Sequence, residues 1–78
     1  MYTKKGMIVK MEDQQTYIVD DVKVVDNKEY VILYSTEKIA FYLATESIVD
    51  GQVQYNFLEQ EEAVKIAEQI DKMDHLDD

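Results

Sequence analysis

The chain has no arginine, no cysteine and no proline, and it carries two glycines, two serines and one histidine. Each scarcity closes a door. Without cysteine there is neither a disulfide nor a zinc–thiolate site to staple so short a chain, so any fold must rest on a packed core. Two glycines leave no room for a glycine-rich phosphate loop, and no arginine fork stands ready for a phosphate or carboxylate. Basic charge is thin as well: eight lysines face seventeen Asp and Glu, a formal net charge of −9 on 78 residues. Nucleic-acid binding gains its affinity by releasing counterions from neutralised phosphates, and this chain would be repelled by them. Long apolar runs are also missing. The longest, residues 30–34 and 39–44, are far too short to span a bilayer. The opening MYTKKGMIVKMED has no apolar stretch of signal-peptide length and no small-residue cleavage site, which makes a cytoplasmic location the default expectation.

What is present is a 46% apolar content, enough to argue against disorder despite the charge. The chain reads as one domain, 1–78, with strands over about 6–57, a helix over about 59–73 and a frayed tail over 74–78. Residues 6–11 (GMIVKM) form a first strand closed by the polar cluster EDQQ. Residues 16–26 (TYIVDDVKVVD) are β-branched, but the alternation slips at Asp20-Asp21. A slip of that kind marks a bulge or a break into two short strands. Asn27-Lys28 fits a two-residue hairpin loop, 29–35 (EYVILYS) a strand, 36–38 a turn and 39–45 (IAFYLAT) another strand. Asp50-Gly51 is the strongest hairpin signal, and 52–57 follows with Val53, Tyr55 and Phe57 on one face. The period then changes. Ala63, Ile66, Ala67, Ile70 and Met73 recur at helical spacing, and the first four are expected to face the sheet. Glu59, Glu61 and Glu62 suit the start of that helix. The fold class expected is α+β: an antiparallel β-meander of four to five strands with one C-terminal amphipathic helix packed on one face.

With a loop at Asn27-Lys28, Val25 opposes Tyr30, Val24 opposes Val31 and Val22 opposes Leu33. One sheet face then carries Val22, Val24, Val31 and Leu33, and the other Lys23, Val25, Tyr30, Ile32 and Tyr34. A loop at Asp50-Gly51 sets Ile48 against Val53 and Ala44 against Phe57. Strand 39–45 is apolar on both sides, yet one helix covers only one face. The face bearing Tyr30, Ile32, Tyr34, Phe41 and Leu43 is therefore the expected partner-binding surface, for a homodimer or another protein. The rival expectation is that residues 7–19 fold over it and close a sandwich or barrel.

The run VKVVDNKEYVILYS, an aliphatic–aromatic strand, a DG turn, a further strand and a helix opened by LEQEEAVKIAEQI together resemble the YrzB-like family of short acidic bacterial proteins of unknown function. The likeness covers residues 17–73. It implies a strand–turn–strand core with a late acidic helix, and it brings no catalytic or binding residues with it.

Catalytic chemistry has little material. His75 is the one candidate base, and a nucleophile at Ser35 or Ser47 would depend on it. Asp71, Asp74, His75 and Asp78 could hold a divalent cation weakly. The carboxylate pairs Glu12-Asp13, Asp20-Asp21, Glu61-Glu62 and Asp77-Asp78 read as solvated charge, and no calcium-loop pattern occurs. No cofactor is expected. The function expected is a non-enzymatic, acidic protein-interaction or regulatory protein, binding another protein or itself, with no membrane and no direct nucleic-acid contact. One alternative is a phage-type acidic inhibitor that imitates nucleic acid to block a basic groove. A small hydrolase or metal-dependent enzyme is the other.

Overall fold

The computed structural model describes residues 2–76, with side chains described from Tyr2 to Asp74. Five antiparallel strands lie in sequence order: β1 (Ile8–Lys10), β2 (Thr16–Val25), β3 (Lys28–Ser35), β4 (Ala40–Val49) and β5 (Gln52–Phe57). One helix, α1 (Gln60–Leu76), follows. This is the expected α+β meander, with two boundaries moved. The helix runs three residues past the expected end at 73, and of the expected tail only Asp77 and Asp78 lie outside the described residues. Strand β4 reaches Val49, four residues beyond the expected end, because its pairing with β5 continues to the turn.

Turn chemistry decides the registers. Asp50 and Gly51 both have positive φ (52° and 76°) and set Ile48 against Val53 and Ala44 against Phe57, as expected. The first hairpin is a correction: its loop is Asp26-Asn27, not Asn27-Lys28. Both loop residues have positive φ (50° and 64°), which Asp and Asn accept more readily than lysine. Val25 therefore opposes Lys28, Lys23 opposes Tyr30 and Val22 opposes Val31. Moving a two-residue loop by one position shifts each pairing by two residues, so no side chain changes face. The break at Asp20-Asp21 is a bulge between Val19 and Asp21 within one continuous strand.

The two faces are buried differently. One holds Val9, Met11, Tyr17, Val19, Val31, Leu33 and Ala44, with Tyr42 and Tyr55 packed against them. Among the described residues no helix covers this face; the sheet curls around it. Tyr17 on β2 meets Phe57 on β5 edge-on, with ring centroids 5.6 Å apart. The N-terminal segment completes the enclosure. The Glu46 carboxylate accepts the N–H of Tyr2 (3.3 Å), the N–H of Thr3 (3.1 Å) and the Thr3 hydroxyl, while Tyr55 donates to Thr3 Oγ1 at 2.7 Å. Burial pushes the Glu46 carboxyl up, but the Thr3 hydroxyl and the two N–H donors outweigh it and hold it below its ordinary value.

The opposite face carries Val25 and Tyr30, closed over by Ile66 and Ile70 of α1, with Ile32, Leu43 and Leu58 alongside. The helix crosses from Leu58, whose N–H bonds the Leu43 carbonyl, to β2, where Lys23 pairs with Asp74 at 3.2 Å. Of the four residues expected to dock, Ala67 is the one left exposed. Ile66 and Ile70 are buried and Ala63 is half-buried; Met73, at the end of the apolar stripe, is 39% exposed.

Candidate functional site

Cross-strand pairing lines up four apolar residues on the helix-bearing face. Ile8 opposes Ile18, Ile18 opposes Tyr34 and Tyr34 opposes Phe41. Opposed residues on antiparallel strands point to the same side, so the four form one row across β1 to β4. The Tyr34 and Phe41 rings touch, with centroids 4.9 Å apart. Ile8 is 72% exposed and Phe41 63%, with Ile18 and Tyr34 less so. Contiguous apolar surface of this kind on a small domain marks a place of contact.

Between the row and the helix lies a groove of about 990 Å³. Its floor includes Ile32, Phe41 and Leu43, and its helical wall includes Ala63, Val64 and Ala67. The wall is low because two of those three residues are alanines. Val64, 53% exposed, projects from it without a partner in the core. The groove opens around the edge of β4, which extends past the end of β5 because Phe57 pairs with Ala44. Just before that edge, Ile39 holds a φ of 52° and is 77% exposed. Left-handed backbone at a β-branched residue is strained, and strain of this sort gathers at functional segments.

Carboxylates dominate the rim. Asp13, Asp71 and Asp74 line the groove against Lys38 as the lining cation. Lys38 donates to the Tyr17 hydroxyl at 3.4 Å, stands over the Tyr42 ring and lies 3.9 Å from Asp13. The Tyr17 hydroxyl in turn donates to Asp13 at 2.8 Å. The Gln15 N–H and then this hydroxyl hold the Asp13 carboxyl below its usual range, while burial pushes the Tyr17 phenol up. Lys23 is similarly engaged, 3.2 Å from Asp74 and 3.5 Å from Asp21, and its hydrogen bond to Asp74 raises its pKa.

The residues expected to contact a partner divide. Tyr30 is buried under the helix, because this is the face on which α1 packs, while Ile32 and Leu43 are half-buried between the helix and the groove floor. Tyr34 and Phe41 stay in the open row. The rival expectation also changes sides, since the N-terminal strands help close the face opposite to the one anticipated. Ile8, Ile18 and Val64 were not anticipated. The first two could have been found only from the β1–β2 register, and Val64 sits one position off the Ala63–Ile66–Ile70 stripe. Among the described residues no three His, Cys, Asp or Glu gather as metal ligands. The candidate cation set of Asp71, Asp74, His75 and Asp78 falls partly outside them, at the His75 side chain and Asp78. Among the same residues, no helix is long and apolar enough to cross a membrane. No family model, no curated protein and no solved structure matches the chain, so the YrzB-like resemblance rests on the hairpin and helix pattern.

Proposed function

We propose that the chain is a non-enzymatic interaction module that binds another protein through the half of its sheet face left open beside α1. One observation carries this reading: the cross-strand row Ile8–Ile18–Tyr34–Phe41 is a continuous apolar line, exposed most at Ile8 and Phe41, next to an apolar groove. An apolar row that no core uses costs solubility, and a partner that covers it returns the hydrophobic stabilisation. The carboxylate rim adds orientation and speeds encounter with a partner of opposite charge. Direct nucleic-acid binding is not part of this reading, since the charge of −9 opposes it. The test is capture from the source cell with the wild-type chain and with the double variant Ile8→Thr, Phe41→Thr. A stoichiometric partner retained by the wild type and lost by the folded variant is the expected result. Equal retention by both would move the contact elsewhere.

A further inference from the structure

The open half-face has a shape, a direction and a charge, and together they define an occupant. The row crosses four strands, a span of roughly 14 Å at ~4.8 Å between neighbours. It runs across the strands, as α1 does on its way from the end of β5 to β2. The groove between them follows α1 from Gln60 to Asp74. Ala63 and Ala67, one turn apart, let a second helix axis approach α1 to about 8–10 Å. A strand added to the β4 edge would engage only the few residues beyond β5 and leave Ile8 and Ile18 wet. A helix laid beside α1 covers both the row and the groove.

Charge narrows the choice. Asp21, at the β2 bulge, and Asp74 of α1 meet at Lys23 on the α1 side of the row, and Asp71 and Asp74 line the groove there. The ammonium groups of Lys23 and Lys38 beside the groove are already paired within the chain, while Lys10 and, just before β1, Lys4 and Lys5 are the cations at the outer end of the row. A second copy would bring −9 onto −9. We propose that the occupant is an amphipathic α-helix of a partner protein, apolar on one stripe and rich in Lys or Arg on its flanks, lying alongside α1 as a second helix on the sheet. This inference rests on the contact-surface reading above and adds the partner's form and charge to it.

The test uses the isotope-labelled full chain and three synthetic peptides of about 14 residues, long enough for roughly 20 Å of helix. The first carries Leu at helical spacing with Lys elsewhere, the second replaces each Lys by Glu, and the third scrambles the first. The Lys peptide should shift the amide signals of Ile8, Ile18, Phe41 and Val64 and bind at least about tenfold more tightly than either control. Its affinity should fall several-fold between low and moderate salt. The variant Ile8→Thr, Phe41→Thr should keep a folded spectrum and lose the binding. Equal binding of the scrambled peptide would overturn the helical form, and equal binding of the Glu peptide would overturn the charge. Shifts confined to other residues would overturn the location. Concentration-dependent shifts of the row in the free protein, with a dimer in sedimentation, would make a second copy the occupant; that result overturns the inference while leaving the contact surface intact. Failure of the contact-surface reading itself is separate, and shows as equal partner capture by wild type and variant.

Discussion

The two faces of this sheet begin with similar material and finish in different states. One face, built on Tyr17, Val19, Val31, Leu33 and Ala44, is sealed by the curl of the sheet and by the Thr3–Glu46–Tyr55 link at the N-terminal segment. The other has a single helix, which closes over Val25 and Tyr30 and stops. Beyond it, Ile8, Ile18, Tyr34 and Phe41 repeat the apolar character of the core without being enclosed. A helix about 10 Å wide cannot span strands of ten residues, each about 33 Å long. The difference teaches that the apolar content of the central strands exceeds what this chain can bury by itself, and that part of the excess lines up in one cross-strand row.

Substitutions should separate the sealed face from the open one by size of effect. Leu33→Ala removes a fully buried side chain from the sealed face and should cost about 3–5 kcal/mol, enough to abolish a melting transition in so small a domain. Ile66→Ala, beneath the helix, should cost about 2 kcal/mol, because the site lies at the margin of the core and α1 can settle toward the sheet. A larger loss at Ile66 than at Leu33, read from urea unfolding, would reverse the ranking of the two faces.

The N-terminal link gives a smaller, pH-dependent effect. Glu46 has a folded pKa below its ordinary 4.5, so its contribution is fully present above that value and fades as pH falls through the folded pKa. Glu46→Gln should cost about 1 kcal/mol near neutral pH, and the gap from wild type should narrow in acid as pH falls through the lowered Glu46 pKa. A gap that stays constant through the acid range would remove the carboxylate from the account. Smallest of all, Ile39→Gly should stabilise the fold by up to about 1 kcal/mol by relieving left-handed backbone at a β-branched residue. A destabilised Ile39→Gly would show that its side chain packs rather than strains.

Much of this contrast was legible in the residues, and the illegible part has definite causes. Asp50-Gly51 announced its hairpin because few dipeptides accept two positive φ values. At the other hairpin the loop falls at Asp26-Asn27 and not at the expected Asn27-Lys28, yet either keeps Val22 and Val31 on one face and Tyr30 and Ile32 on the other. Which face the helix would take was not readable, since both central strands are apolar on both sides and α1 offers a stripe that suits either. The closure of the sealed face depends on Thr3 reaching Glu46, 43 positions away, and no local pattern reports that. The open row is likewise a product of register: Ile8 and Phe41 are distant in sequence and meet only through two intervening strands.

The claim that the open half-face takes no part in holding the fold is tested most directly by urea unfolding of the double variant Ile8→Thr, Phe41→Thr. Threonine keeps the β-propensity of these positions, so only the apolar surface and the Tyr34–Phe41 ring contact are lost. The account predicts an unfolding free energy within about 1 kcal/mol of wild type. A loss of about 3 kcal/mol or more, the size expected of a core position, would show that these side chains already hold the chain together and that the face is not open.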